Sequence, residues 1–114
     1  MIVVFKHLFY RSYVGLSLWP FIFLKAPELR ADATLINHER IHLRQQAELL
    51  LFFFYAWYLC EWLLRALYYR DAYKAYRNIS FEREAYACEK DPGYLVKRRP
   101  YQFLSYITQA ALPV

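Results

Sequence analysis

Residues 28 to 91 contain neither glycine nor proline, and this stretch limits the folds open to the chain more than any other feature. Both glycines and all five prolines lie outside it. Glycine and proline are the residues that most disfavour a helix interior, and they are the strongest local signals of turns and loops. The stretch is therefore predicted to be predominantly helical.

The segment before this stretch is predicted to be extended rather than helical. Residues 13–25 are rich in aromatic and β-branched side chains, which favour extended chain, and Pro20 indicates a sheet edge because proline cannot donate to a strand ladder. Residues 2–9 are a candidate partner strand. Two strands are marginally stable unless a helix covers them. We therefore predict one domain over residues 1–114 with an α+β, mostly α fold, in which a small N-terminal hairpin or edge strand packs on a helix.

Two helices within the stretch have predicted starting points. Asp32 or Thr34 is the N-cap candidate for the first, because both side chains accept hydrogen bonds from unpaired helix N–H groups. One face of that helix then carries Leu35, His38, His42, Gln45, Gln46 and Leu49. Ser80 is predicted to cap a later helix over residues 81–90, which a turn at residues 91–93 closes.

Every residue from Leu49 to Cys60 is apolar. This run is shorter than the roughly 20 residues that span a bilayer. A buried central helix is the first interpretation, and an interfacial helix or a membrane span are the alternatives. Basic residues follow the run, as expected beside anionic lipid: Arg65, Arg70, Lys74 and Arg77.

The composition narrows the class of partner. Hydrophobic residues make up 59% of the chain and the net charge is +5. A basic chain suits an anionic membrane surface or a nucleic acid. The sequence has no zinc-knuckle, glycine-rich or RNP-type pattern, so no nucleic acid is expected and a membrane surface is the candidate. The two cysteines, Cys60 and Cys88, are interpreted as unpaired buried residues of a reducing compartment. The expected location is the cytoplasm, peripheral to or inserted in the inner membrane.

The sequence His38-Glu39-Arg40-Ile41-His42 carries the strongest chemical signal. Two histidines four residues apart on a helix place both imidazoles one above the other, which is the separation that one tetrahedral metal ion requires. Glu39 lies about 100° around the same helix and can address water on that metal. The pattern predicts a Zn²⁺ site in which Glu39 takes a proton as the activated water attacks a carbonyl.

A catalytic zinc ion needs a third protein ligand, and the later helix offers two carboxylates. Glu82 and Glu84 point about 200° apart on a helix, so only one of them can face the histidines. The alternative for both is an exposed carboxylate that interacts with the positive end of the helix.

Together, the histidine motif and the downstream Glu82-Arg83-Glu84-Ala85-Tyr86 resemble the gluzincin metallopeptidases, and the short length resembles the minigluzincins in particular. The resemblance implies a zincin-like minimal domain with His38, His42 and Glu82 as zinc ligands and Glu39 as the catalytic base. It favours Glu82 over its rival Glu84, because Glu82-x-x-Ala fits the family spacing. Similar motif pairs occur in membrane-associated peptidases related to the prenyl-protein and heat-shock proteases.

The resemblance also implies a substrate site and one departure from the family. The strand around residues 18–24 is expected to border the cleft and to pair with an extended peptide, with four side chains as candidate contacts: Leu18, Trp19, Phe21 and Phe23. Tyr86 stands where the family has an aspartate that supports a ligating histidine. Its hydroxyl is a candidate for that support or for stabilising an oxyanion.

The proposed site requires the chain to reverse direction. In one straight helix, His42 and Glu82 would lie about 60 Å apart. A shared metal ion therefore demands that the helix end in the fifties to sixties, or that residues 68–79 run back in extended form, although no glycine or proline marks the turn.

Two functions follow from these patterns. The first is a zinc-dependent peptidase that acts on a peptide or protein substrate. The alternative is a non-enzymatic, membrane-associated protein whose histidine pair is structural or vestigial.

Overall fold

The computed structural model describes residues 1–5 and 14–109. A small sheet lies at the N-terminal end and contains β1 (Ile2–Val4), β2 (Gly15–Leu18) and β3 (Phe21–Leu24). The strand order is β1-β3-β2, with β1 parallel and β2 antiparallel to β3. The extended segment is thus a hairpin with Pro20 in its turn, and residues 6–9 of the candidate partner strand lie outside the described residues.

The rest of the described chain is mostly helical. Five α-helices follow in order: α1 (Ala33–Glu48), α2 (Phe52–Tyr69), α3 (Ala72–Arg77), α4 (Ser80–Cys88) and α5 (Tyr94–Lys97). Short 3-10 turns occupy Pro27–Ala31 and Gln102–Tyr106. The α+β, mostly α prediction is confirmed, since the hairpin packs on α1 and a second helix carries Glu82.

The helix starts show one prediction that holds and one that is wrong. Asp32 caps α1, because its Oδ1 atom accepts from the N–H of Leu35 at 3.0 Å. Ser80 does not cap α4, whose N-cap residue is Ile79. Glu61 of α2 instead accepts from both the N–H and the hydroxyl of Ser80, each at 2.6 Å. A carboxylate from another helix therefore performs the capping that the sequence assigns to Ser80.

The chain reverses at the junction of α1 and α2. The two helices are bent by 112° at the break between them, where Leu50 and Leu51 adopt φ values of 54° and 60°. Positive φ values are unfavourable for leucine. The N–H of Leu51 bonds back to the carbonyl of Gln46 at 2.9 Å, a bond typical of helix C-termini. The reversal thus comes just before the predicted fifties to sixties.

Two apolar clusters hold these elements. The larger joins α2, α4 and the last 3-10 turn through Phe54, Ile79, Phe81 and Phe103. The smaller joins the sheet to α1 through Ile22, Leu24 and Ile36. The smaller cluster thus packs on α1, which carries the histidines, and the larger contains Phe81 of α4, which carries Glu82; α1 and α4 also contact each other directly.

The helix α2 is not the buried central helix of the first interpretation. Among its residues, all of which the structure describes, only Phe54 is buried. Within the described residues, no single helix has the length and apolar character to cross a bilayer; α1 and α2 would pass that test only as a bent pair.

Candidate metal centre

His38 and His42 of α1 meet Glu82 in the first turn of α4. The Nε2 atoms of the two histidines are 3.2 Å apart. The Oε1 atom of Glu82 lies 3.2 Å from the Nε2 atom of His38 and 3.0 Å from that of His42. All three side chains are buried. The described chain thus brings two imidazoles and one carboxylate to a single point.

This donor triangle fits a tetrahedral metal ion. Zinc binds imidazole nitrogen and carboxylate oxygen at about 2.0 Å, which places adjacent ligand atoms of a tetrahedron roughly 3.3 Å apart. The observed edges of 3.0 to 3.2 Å are close to that value. The three residues can therefore hold a metal ion without a large rearrangement.

The other ring nitrogens of the two histidines are bonded in a way that would support a bound cation. The Nδ1 atom of His38 lies 3.1 Å from Oε2 of Glu89, and that of His42 lies 2.8 Å from Oε1 of Gln45. An acceptor at Nδ1 fixes the proton there, so each neutral imidazole presents its Nε2 lone pair. Two such lone pairs and the Glu82 oxygen, which lie 3.0 to 3.2 Å from one another, could hold a cation between them.

Gln45 is held so that its oxygen faces His42. Its Nε2 atom donates to the carbonyl of Phe81 at 3.1 Å and to Oε1 of Glu84 at 2.9 Å. Because both of these partners are acceptors, the nitrogen must lie on their side and the oxygen on the side of His42.

Glu84, the rival ligand, belongs to a separate buried network. Its carboxylate pairs with Arg98 and accepts from the hydroxyl of Tyr94 at 2.6 Å. Arg98 also pairs with Glu48 of α1 at 2.8 Å, and this environment raises its pKa, because the bonds to Glu84 and Glu48 outweigh the effect of burial. Glu82 is thus the carboxylate that faces the histidines, and Glu84 ties α4 to the end of α1.

Glu89 is placed by a side chain next to His38. The amide nitrogen of Asn37 donates to the carbonyls of Glu89 and Asp91, both at 2.9 Å. These bonds join the C-terminal end of α4 to α1. They hold the Glu89 carboxylate beside the imidazole that it supports.

Two tyrosines lie against the candidate ligands, Tyr58 against Glu82 and Tyr86 against His38. The hydroxyl of Tyr58 donates to Oε2 of Glu82 at 2.7 Å, which leaves Oε1 directed at the histidines. Burial raises the pKa of Tyr58, so this hydroxyl stays protonated. The ring of Tyr86 lies against His38 with centroids 4.5 Å apart, and its hydroxyl bonds to that of Tyr76 at 3.1 Å. In this geometry Glu89, rather than Tyr86, contacts the ring nitrogen of His38.

The charges in the centre shift each other's pKa values. Burial alone would lower the pKa of His38, but hydrogen bonds to Glu82 and Glu89 outweigh it and raise the pKa to about 10. Burial likewise opposes protonation of His42, yet the charge of Glu82 raises its pKa. Burial would raise the pKa of Glu82, but the charge of His42 and bonds from both imidazoles hold it well below its usual range. Without a metal ion, protonation of the imidazoles therefore balances the charge of Glu82.

Glu39 lies between this centre and the sheet. Its Oε2 atom would be 3.2 Å from a Cβ atom added to Gly15, so the glycine permits β2 to approach the carboxylate. Burial raises the pKa of Glu39. A buried carboxylate of raised pKa beside a metal centre is suited to accepting and returning a proton.

A cavity of about 440 Å³ joins these groups. Its walls include β2 and the proposed ligands and base: Gly15, Leu16, Ser17, Leu18, His38, Glu39, His42 and Glu82. Of the four candidate substrate contacts, Leu18 lines this cavity and Trp19 lies in the hairpin turn. Phe21 and Phe23 lie on β3, whose two sides already pair with β1 and β2, so a substrate strand cannot pair there. The strand that borders the cleft begins at Gly15.

Three residues of the site were not predicted as such. Gln45 lies on the histidine face of α1, and Glu89 follows Glu82 by two helical turns, so their spacing carried a usable signal. The bond of Tyr58 to Glu82 could not be predicted from residue spacing, because it depends on the sharp bend before α2.

Comparison with known proteins adds no relative. No protein family, no curated protein and no solved structure matches the chain.

Proposed function

We propose that the chain is a zinc-dependent peptidase of the gluzincin type, with a zincin-like fold of minimal size. The observation that carries the proposal is the buried triangle formed by His38, His42 and Glu82, which lies beside Glu39 in a cavity bordered by a sheet edge. A structural metal site is closed by four protein ligands, whereas a catalytic site has three and an open position. The described residues supply three ligands that face a cavity.

Each group has a distinct part in hydrolysis. A bound zinc ion supplies a Lewis acid that activates water and polarises the scissile carbonyl. Glu39 accepts the proton of the attacking water and returns it to the leaving amine, which the raised pKa favours. Glu89 and Gln45 hold the two imidazoles in the tautomer that presents Nε2. Tyr58 fixes the second oxygen of Glu82.

The outer edge of β2 provides a backbone template for an extended peptide. Alternate residues of a strand direct their backbone groups to the same side. Val14 accepts from Lys25 on the β3 side, so Gly15 and Ser17 face the opposite side, toward the cleft. A peptide paired there by main-chain hydrogen bonds would pass Glu39.

Gln46 limits how far such a peptide extends. Its amide nitrogen donates to the carbonyl of Ser17 at 2.9 Å, and its oxygen accepts from the N–H of Trp19 at 2.7 Å. The side-chain amide therefore pairs with the edge as a peptide group would. Substrate is expected to pair with the part nearer Gly15.

The position of Glu89 accounts for the departure at Tyr86. The gluzincin pattern requires a carboxylate that supports a ligating histidine, and residue 86 cannot supply one. Glu89, one turn further along and 3.1 Å from His38, provides the same charge and bond.

Metal analysis combined with a cleavage assay tests the proposal. The purified chain is expected to contain about one zinc ion and to cleave fluorescently labelled casein. Glu39→Gln should retain zinc and lose activity by about 10²-fold or more. Glu82→Gln should lose zinc, whereas Glu84→Gln should retain it, with circular dichroism as the check on folding.

Two results would contradict the proposal. A folded wild-type chain that binds no zinc would favour a non-enzymatic role, and so would full activity in the Glu39→Gln variant. Zinc retained in Glu82→Gln but lost in folded Glu84→Gln would reassign the third ligand.

A further inference from the structure

The outer side of α2 exposes a continuous set of uncharged residues. Exposed positions recur on every turn of this helix, which is about 27 Å long, and we name them the α2 face: Phe52, Phe53, Tyr55, Ala56, Leu59, Cys60, Leu63, Leu64, Leu67 and Tyr68. Several of these side chains are largely exposed, including Leu64 at 69% and Leu67 at 76%. Contiguous apolar surface of this extent marks an interaction site.

The charged residues of α2 are absent from this face. The helix contains one acidic and one basic residue, Glu61 and Arg65, which pair with each other at 2.8 Å. Glu61 also accepts from Ser80, and Arg65 donates to the carbonyl of Ile107 at 3.0 Å. Both point toward the protein. In a surface helix the charged residues normally face water and the apolar ones face the core, whereas α2 has the opposite arrangement.

The apolar surface continues beyond α2 to the mouth of the cavity. The hydroxyl of Tyr55 and the N–H of Trp19 both bond to Oε1 of Gln46, so these two aromatic residues are neighbours. Both are exposed, and Tyr55 also lines the cavity. Leu50, in the bend before α2, is exposed as well. Tryptophan and tyrosine are enriched where a protein meets the membrane–water interface.

The exposed charges of the described chain are mainly positive. Its exposed acidic residues are Glu28, Asp32 and Asp71, and the last two cap helices. Its exposed basic residues are more numerous: Arg30, Arg40, Arg44, Arg70, Lys90, Lys97 and Arg99. Arg70 follows the last residue of α2, and Lys74 lies over the ring of Tyr69 at 5.0 Å. Cations therefore flank one end of the α2 face, which suits an anionic surface.

The geometry favours a helix that lies in a bilayer surface. An interfacial helix places its apolar side at the boundary of headgroups and acyl chains. The neighbouring α1 is bent 112° away and buries the polar residues of the metal centre. The two helices therefore cannot continue as one straight apolar element.

We propose that the α2 face docks on an anionic lipid bilayer, with Trp19 and Tyr55 at the interface and the cavity mouth beside the membrane surface. This binding surface does not depend on the proposed peptidase activity, so either can fail without the other. A second copy of the chain is the alternative occupant.

Vesicle flotation with the full-length wild-type chain tests the proposal. Vesicles of phosphatidylcholine with phosphatidylglycerol are compared with vesicles of phosphatidylcholine alone. The chain should float with the anionic vesicles, and binding should fall at high salt because the cationic contribution is screened. Leu67→Glu should reduce binding about tenfold, since it places a charge in the apolar boundary.

Val96→Glu is the matched control. Val96 is 92% exposed on α5, outside the α2 face, and its substitution changes the net charge by the same amount. It should reduce binding far less than Leu67→Glu does. Circular dichroism and zinc content should be unchanged in both variants.

Three outcomes would overturn the proposal. The first is that the folded wild-type chain does not float with anionic vesicles. The second is that Leu67→Glu and Val96→Glu reduce flotation equally. The third is that the wild-type chain does not bind vesicles and is a dimer by analytical ultracentrifugation, while Leu67→Glu is a monomer. That result would assign the α2 face to a second copy of the chain.

Discussion

The Oε2 atom of Glu89 lies 3.1 Å from the Nδ1 atom of His38, at the opposite end of α4 from Glu82. One short helix and its C-cap thus supply both the candidate acidic ligand and a carboxylate bonded to a histidine. A ligating imidazole that donates to a carboxylate is held in orientation and becomes a stronger ligand.

Removing the charge of Glu89 should weaken the metal site. Glu89→Gln is expected to raise the Kd for zinc about 10- to 100-fold, because the imidazole loses its anionic partner. Competition with a chromophoric chelator measures the change. Glu28→Gln, a substitution of an exposed glutamate in the first 3-10 turn, should leave the Kd unchanged. Equal zinc affinity in the two variants would contradict the assigned role of Glu89.

A side chain at Gly15 should disturb the catalytic base. In Gly15→Ala the new Cβ would lie 3.1 Å from Leu35 and 3.2 Å from the Glu39 carboxylate, so one of them must move. We expect kcat to fall roughly tenfold with zinc retained, since small misplacements of a reacting group are costly. Steady-state kinetics and metal content measure both effects.

The other glycine provides the control for that substitution. A Cβ on Gly93 would meet an oxygen of Asp91 at 3.6 Å, an ordinary contact. Gly93→Ala should therefore leave kcat unchanged. A Gly15→Ala enzyme as active as the wild type would show that Glu39 is not confined by β2.

Zinc binding should release protons. In the zinc-free chain the pKa of His38 is raised to about 10, so this imidazole is protonated at neutral pH, and the pKa of His42 is also raised. Zinc should displace at least one proton at pH 7, and its apparent affinity should rise with pH as the competition from protons weakens. Titration calorimetry in buffers of different ionisation enthalpy measures the release. Heats that are independent of the buffer would contradict it.

The folding stability of the zinc-free chain should fall as the pH rises, whereas the apparent affinity for zinc should increase. A pKa raised from 6.5 in the unfolded chain to about 10 in the folded chain means that His38 contributes stability that is complete below pH 6.5. That contribution is lost as the pH rises toward 10. Urea unfolding of the zinc-free chain at a series of pH values checks this, and a stability that increases over that range would contradict it.

The network of Arg98 should matter for folding. Its side chain is fully buried between Glu84 and Glu48, and removing one partner of a buried pair leaves an uncompensated charge. Arg98→Ala is expected to lower the free energy of unfolding by about 3–5 kcal/mol in urea titrations. The adjacent Arg99 is exposed, so Arg99→Ala should change it by about 0.5 kcal/mol or less. Similar losses in both variants would contradict the network.

The sequence predicted those features of the structure that depend on residues close together in the chain. The cap at Asp32 and the shared face of His38 and His42 follow from helix geometry alone, and both appear in α1. The choice between Glu82 and Glu84 needed the family spacing, because helix geometry shows that they diverge and not which one faces inward.

Contacts between residues far apart in the chain could not be predicted from local sequence patterns. The bend before α2 places Leu50 and Leu51 at positive φ, where sequence rules expect glycine. A local bond from the N–H of Leu51 to the carbonyl of Gln46 closes this bend. Bonds between distant residues decide the start of α4, where Glu61 replaces a cap at Ser80. The exposure of α2 contradicts the first interpretation, a buried helix, and leaves the interfacial alternative open. Sequence could not decide between the two, because the composition of an apolar run does not show what it faces.

Glu61 and Tyr58 give α2 a mechanical role in addition to its surface. Glu61 holds the first residue of α4 and Tyr58 holds Glu82 itself. A shift or rotation of α2 is therefore expected to move Glu82, and a displacement of Glu82 is expected to move α2. The proposed docking face and the candidate ligand Glu82 are thereby linked through Tyr58 and Glu61, which lie less than one turn of helix apart.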